Sequence, residues 1–254
     1  MISGNDHLVI LVEALEAAVA GYEELGFRVS PGGEHADGLT RNALVPFADG
    51  TYLLELVSFV DPADTRDNAW GWRPFFEKGG GLIDHCAASD GLAADACRLV
   101  AAGFEVSGPE EGGRRLPDET EMRWRIARVR QEGRVMPFLI EDLTPRSLRV
   151  PGGKATEHPN GARGIIRLLL AVEDADNARA SLAALAAVEK PVGGPVDTLR
   201  FGSHELTLVA SGGNAERRLE TLGPGPLAAE LAATRDEDLS PDLAQGARIQ
   251  MRRR

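Results

Sequence analysis

Residues 5–59 read NDHLVILVEALEAAVAGYEELGFRVSPGGEHADGLTRNALVPFADGTYLLELVSF, and this stretch decides the fold. Residues 7–12 form an apolar strand. Residues 13–25 follow with helical spacing, their stripe made by Leu15, Ala18, Val19 and Tyr22. Gly26 stands where a helix-ending glycine is favoured, and Phe27 opens a short strand. A Gly-rich turn over 31–38 leads to a strand at 40–47. After Asp49-Gly50 comes a second strand at 51–59, rich in β-formers. The order is β-α-β-β-β.

Working outward, the order recurs. Residues 83–89 predict a strand, 92–102 a helix closed by Gly103, and 122–130 with 135–143 a hairpin pair. Asp6-His7 matches Asp84-His85, Leu25-Gly26-Phe27 matches Ala102-Gly103-Phe104, and Leu54-Glu55-Leu56 matches Ile140-Glu141-Asp142. Three matches in one order argue for duplication. A weaker third copy follows Pro151-Gly152-Gly153, with a strand at 164–172, a helix at 177–187 and a hairpin at 197–211 turning near Gly202. Beyond Gly212 the chain is polar. A frayed helix at 227–234 and a solvated tail ending in Arg252-Arg253-Arg254 are expected there. The expected divisions are a first module with an aromatic linker at 1–78, a second module at 79–150, a partial third at 151–212 and a polar tail at 213–254.

The 254 residues carry 28 Lys+Arg against 39 Asp+Glu, a net charge of −11. That balance argues against a nucleic-acid binder, which needs a basic face, and against a polybasic membrane-surface protein. Cys86 and Cys97 cannot make a disulfide framework or a four-thiolate zinc site. Reduced, intracellular conditions fit two cysteines best. No basic residue precedes the first apolar run, and no 18-residue uncharged apolar stretch occurs. The expectation is a cytoplasmic protein with neither signal peptide nor membrane span. Cys86 and Cys97 both read as core. No phosphate-binding loop, nucleophile elbow or dinucleotide fingerprint is present.

The pattern resembles the vicinal oxygen chelate superfamily, and within it the glyoxalase-like domain proteins. The residues that carry the resemblance are Asp6-His7-Leu8-Val9, Pro31-Gly32-Gly33-Glu34-His35, Thr40-Arg41-Asn42-Ala43-Leu44 and Gly50-Thr51-Tyr52. Arg115-Leu116-Pro117-Asp118, Arg123-Trp124-Arg125, Pro137-Phe138-Leu139-Ile140 and His158-Pro159-Asn160-Gly161 complete them. The resemblance implies an α+β fold of paired βαβββ modules around a shared cavity, with a partial third module. It also implies up to four metal ligands on the first and last strands of each module, which fall here on His7, Glu55, His85 and Glu141. Strand parity agrees, because His7 shares a face with Val9 and Leu11, and Glu55 lies opposite in sense to Leu54 and Leu56. Two imidazoles and two carboxylates suit Zn, Fe, Mn, Co or Ni at an open site.

Two functions follow. The first is a metal-dependent lyase, isomerase or dioxygenase acting on vicinal oxygens of a small, anionic substrate, with Glu141 doubling as general base. The second is a metal-free small-molecule binding or drug-sequestering protein of the same fold, its His and Glu residues paired with one another. Substrate contacts are expected from Asn42, from Arg123 and Arg125 on one face of a strand, and from Trp70 and Trp72 in an aromatic segment before Gly79-Gly80-Gly81. For the Arg pair the plain alternative is a charged sheet edge that deters aggregation. For the aromatics it is packing of the inter-module linker. His35 and His158 read as turn residues bonding their own loops, and His204 as exposed at a hairpin turn. A small molecule is the expected partner, and a homodimer is compatible with the sequence.

Overall fold

A computed structural model describes residues 1–48, 50, 52–115, 120–185, 188–189 and 197–254. The expectations at Asp49, Thr51, 116–118 and 186–187 lie outside the described residues. The first module runs β1 (Ile2–Leu11), α1 (Leu15–Glu24), β2 (Ser30–Glu34), β3 (Thr40–Pro46) and β4 (Tyr52–Phe59). β2, β3 and β4 form an antiparallel meander, and β4 returns parallel to β1. The strand order is therefore β2-β3-β4-β1. α1 packs on β3 and β4 and buries Leu15, Ala18, Gly21 and Tyr22, one face at helical spacing. Leu8, Ile10, Leu54 and Leu56 are fully buried, each worth about 1.5–3 kcal/mol.

The short helix α2 (Arg73–Phe76) leads to the second module, β5 (Gly81–Ser89), α3 (Leu92–Ala101), β6 (Val106–Arg115), β7 (Glu121–Val129) and β8 (Phe138–Asp142). It repeats the plan, with β5 parallel to β8 and the last three strands antiparallel. The third module, β9 (Gly164–Ala171), α4 (Ala175–Ala183), β10 (Val188–Glu189), β11 (Thr198–Phe201) and β12 (His204–Val209), does so again, β9 lying parallel to β12. Asp174 caps α4 by accepting the backbone N–H groups of Asp176 and Asn177.

The expected tail is corrected. After α5 (Gly213–Leu222) come β13 (Gly225–Ala233), β14 (Glu237–Asp238) and β15 (Ile249–Arg253), with β13 parallel to β15 and β14 antiparallel to it. Leu239, Ala244, Ala247, Ile249 and Met251 are buried. The Ala/Leu/Glu composition of 227–234 favours a helix locally, but pairing with β15 overrides it. Two smaller expectations also reverse. Cys97 is exposed, lying off the Leu92–Ala96–Leu99 stripe of α3, and His204 is buried at the start of β12.

The chain packs as two compact units. One comprises Met1–Asp6, His85–Arg149 and Arg167–Leu227; the other comprises His7–Asp84, Val150–Ile166 and Ala228–Arg254. The last strands thus share a unit with the first module. Among the described residues no helix is long and apolar enough to cross a membrane.

Candidate functional site

β1 and β4 run parallel with Val9 opposite Glu55, so His7, two residues before Val9, lies diagonally across from Glu55 on the same face. His7 Nε2 is 3.2 Å from Glu55 Oε2, and both side chains are buried. The other carboxylate oxygen, Oε1, is met by His35 Nε2 at 3.3 Å and accepts the Asn42 Nδ2–H at 2.5 Å. His35 follows β2 and is brought to Glu55 because the β2–β3 turn folds back, its N–H donating to the Thr40 carbonyl. Its Nδ1 lies 2.6 Å from Thr40 Oγ1.

The Asn42 amide is oriented from behind. Gly33 N–H donates to Asn42 Oδ1 at 2.8 Å, which turns Nδ2 toward Glu55. Gly32 makes that approach possible, since any side chain there would collide with the Asn42 amide and carbonyl. Burial pushes the Glu55 carboxyl up, but hydrogen bonds from His35 and His7, with their positive charge, together hold it well below the usual carboxylate range. The site therefore keeps an ionised carboxylate inside the protein.

An aromatic wall borders His35. The Trp70 ring lies 5.2 Å from it and stacks on Trp72 at 4.9 Å. Trp72 Nε1–H donates to the buried Asp84 carboxylate at 2.9 Å, and Asn68 Oδ1 accepts the backbone N–H of Trp70 and of Trp72. Trp72 is 1% exposed and stands behind Trp70, which is the more accessible of the two rings. The wall is held by hydrogen bonds from its own backbone and from Trp72.

In the second module the expected His–Glu pair does not form. Ala87 lies opposite Leu139, so Leu139 occupies the place that Glu55 holds against Val9. His85 and Glu141 share a face, but His85 lies opposite Pro137, four residues before Glu141, about 13 Å along the strand. His85 Nε2 is 3.0 Å from the Val135 carbonyl. Glu141 faces the Arg125 guanidinium at 3.9 Å, which removes the basis for its role as general base beside His85. Arg123 and Arg125 both grip Glu111, at 2.7 and 3.1 Å, on a half-exposed face. The two arginines lie on β7, one strand in from the edge strand β6 that carries Glu111, so they form a charged, part-exposed sheet face.

His158 is structural. Its Nδ1 accepts the Arg28 N–H at 3.0 Å, its Nε2 donates to the Pro46 carbonyl at 2.8 Å, and it packs against the Phe27 and Phe47 rings. Burial is the main reason its pKa falls below the ordinary 6.5; the Arg28 charge lowers it further and the Pro46 acceptor opposes both. A depressed histidine stabilises the fold fully above pH 6.5, and that contribution drains as pH falls through the lowered folded value. Glu55 acts likewise at lower pH, its contribution present above 4.5 and lost as pH drops through its depressed value. Thermal unfolding between pH 7 and 5 should therefore slope less in His158→Gln than in the parent. Equal slopes would place the acid sensitivity elsewhere.

A divalent ion implied by the resemblance can be tested against these atoms. Bonds of about 2.0–2.2 Å separate neighbouring nitrogen and oxygen ligands by roughly 3 Å, and the His7 and His35 nitrogens stand 3.2 and 3.3 Å from the Glu55 oxygens. His7 with Glu55, or His35 with Glu55, offers donor types and a span that fit. The two imidazoles and the carboxylate together are not a set whose donor atoms all lie within 4.8 Å of one another.

A family model described as a glyoxalase-like domain matches residues 5–186. Among solved structures, a hypothetical protein from Staphylococcus aureus aligns at TM-score 0.73 and 14% identity, over 98% of this chain and 99% of its own. A xylose isomerase-like TIM barrel/4-hydroxyphenylpyruvate dioxygenase fusion protein aligns at TM-score 0.53 and 18% identity, over 97% of this chain but 38% of its own. Both likenesses concern the fold. No curated protein matches the sequence. The repeated βαβββ modules and the span of the family model lead to one statement: the chain belongs to the glyoxalase-like domain family.

Proposed function

We propose that this protein is a divalent-metal-dependent enzyme acting on vicinal oxygens of a small substrate, by lyase, isomerase or dioxygenase chemistry. The observation that carries the reading is the buried Glu55 carboxylate with an imidazole nitrogen beside each oxygen. His7 and Glu55 would hold the ion, which supplies Lewis acidity toward substrate oxygens. Glu55 takes the place first expected of Glu141 as a carboxylate ligand of the ion. Asn42 fixes the carboxylate plane through Gly33 and leaves it no freedom to turn away. Trp70 supplies the apolar side of the substrate space, consistent with a ligand that pairs oxygens with a flat or apolar body.

The closed His7–Glu55–His35 hydrogen bonding is equally what a metal-free binding protein of this fold would show, so that reading stands second. Metal analysis and calorimetric titration of untagged protein with Zn(II), Mn(II) or Co(II) separate the two. The enzyme reading expects one ion per chain. A protein that takes up none, at concentrations where histidine–carboxylate sites fill, would be the binding module.

A further inference from the structure

We infer that His158 is a positioning residue for the Glu55 centre: its imidazole stands as a rung between β2 and β3 and so sets where the Asn42 amide sits. The inference rests on the reading of Glu55 as the working centre, but it concerns only bonds within the first module and the segment around His158, and it is tested without an ion.

β2 and β3 share few regular rungs. Ser30 lies opposite Leu44 and Pro31 opposite Ala43, after which the register shifts until Glu34 meets Arg41. The same register continued outward places Arg28 opposite Pro46. Proline has no N–H, so the two backbones cannot make a two-way rung there. The imidazole makes it instead. The Arg28 N–H can only donate, so His158 Nδ1 is its acceptor at 3.0 Å, and Nε2 carries the ring proton and donates to the Pro46 carbonyl at 2.8 Å. Two hydrogen bonds and the width of a ring thus replace one direct bond of about 2.9–3.0 Å. The strands are held apart at this end.

The ring is itself fixed. Phe27 and Phe47, the chain neighbours of the two bridged residues, pack against it with centroids at 5.5 and 4.7 Å. The segment that carries it is tied to the end of α1 and the approach to β2. Asn160 Nδ2–H donates to the Leu25 carbonyl at 2.9 Å, the Asn160 N–H to the Gly26 carbonyl at 3.1 Å, and the Arg28 Nε–H to the Glu157 carbonyl at 2.7 Å. The His158-Pro159-Asn160-Gly161 stretch is a buttress under the hairpin.

Beyond the two regular rungs, the irregular part of the ladder holds Gly33, whose N–H turns the Asn42 amide toward Glu55. The spread imposed by the ring at one end of so short a ladder therefore governs the approach of Gly33 to Asn42 at the other. Losing the ring deprives the Arg28 N–H and the Pro46 carbonyl of their partners. Their nearest replacement is each other, so β2 swings toward β3 and Asn42 loses its aim.

The test reads the Asn42 side-chain amide by heteronuclear NMR on full-length, metal-free protein at pH 7. In the parent, the Asn42 Nδ2–H bonded to Glu55 should lie downfield and exchange slowly with water. His158→Leu keeps the bulk and makes neither bond. It should collapse the downfield shift and speed exchange by at least about 10-fold, the local opening expected from one lost hydrogen bond. His158→Gln, which keeps a donor for the Pro46 carbonyl, should fall between the two, and it carries the test alone if His158→Leu does not fold. Tyr22→Phe is the control. It removes the bond from the Tyr22 hydroxyl to the Ala244 carbonyl, and it should lower the melting temperature while leaving the Asn42 signal at parent values. A parent-like Asn42 signal in His158→Gln and in folded His158→Leu overturns the inference. So does an equal displacement in Tyr22→Phe, because general loosening would then be the cause. Metal uptake is measured separately: a protein that binds no ion removes the metal reading and leaves this inference to the NMR result.

Discussion

Glu55→Gln should lose the divalent ion, with affinity reduced about 100-fold or more, and should melt several degrees below the parent. The substitution conserves volume and removes charge. Glu55 Oε1 receives His35 and Asn42 Nδ2, while Oε2 receives His7. Glutamine offers one acceptor, so one of these donor groups must face an amide N–H instead. Leaving a buried polar partner unsatisfied, in place of a paired charge, costs roughly 3 kcal/mol. In a chain of this size that corresponds to roughly 6–12 °C. Calorimetry at pH 7 reads both effects. The gap between parent and variant should narrow as pH falls through the depressed Glu55 value, since the parent then loses the same charge. Unchanged affinity and unchanged melting together would mean that the carboxylate is neither a ligand nor a partner to its imidazoles.

Asp6→Ala should be the most destabilising of the charge deletions, at about 3–5 kcal/mol. Asp6 is fully buried, and its two oxygens accept from Arg149 Nη1 and Nη2 at 3.0 Å each and from Arg146. Arg149, itself buried, also grips Asp142 through Nε at 2.6 Å and Nη2 at 2.8 Å. Two carboxylates thus balance two guanidiniums inside one unit. Removing Asp6 leaves an excess positive charge in a medium that solvates it poorly. An exposed pair such as Arg123–Glu111 contributes far less, because water screens it. Urea unfolding of Asp6→Ala and Glu111→Ala side by side checks the ranking. A loss under 1 kcal/mol for Asp6→Ala would show that the Arg146 and Arg149 side chains relax into water.

The βαβββ repeat was legible because each of its parts has a local signal. α1 has a 3.6-residue stripe, Gly26 and Gly103 stop two helices, and β3 and β4 are rich in β-formers. Half of the site was legible on the same terms. Parity put His7 and Glu55 on one face, and the structure has them 3.2 Å apart. The second pair failed because matching Glu141 to Glu55 by local sequence is off by two residues from the strand register, and register is a tertiary property. His35 was read as a turn residue, since nothing local says that the turn returns to β4. The available signal was Gly32-Gly33 followed by Thr40 and Asn42, small residues admitting a close approach and polar ones using it. The last strands were hidden by composition: GPLAAELAA has the residues of a helix and becomes a strand only because β15 is there to pair with it.

The composition of the two units carries a consequence for how the chain is made. Residues 7–84 leave the ribosome long before residues 228–254, yet both belong to one unit. Until then the C-terminal half of α1 lacks part of its cover. Gly21 awaits the Leu243 carbonyl, which approaches so closely that no larger residue fits, and the Tyr22 hydroxyl awaits the Ala244 carbonyl. Synthesis at about 5–20 residues per second therefore leaves a nascent first module waiting on the order of ten seconds or more for its last strands. During that wait its apolar surface is a target for chaperones, and the histidine–carboxylate centre is carried by an unfinished body. Fragments cut at module boundaries would inherit the same deficit, so the first module is not a finished body without the last strands.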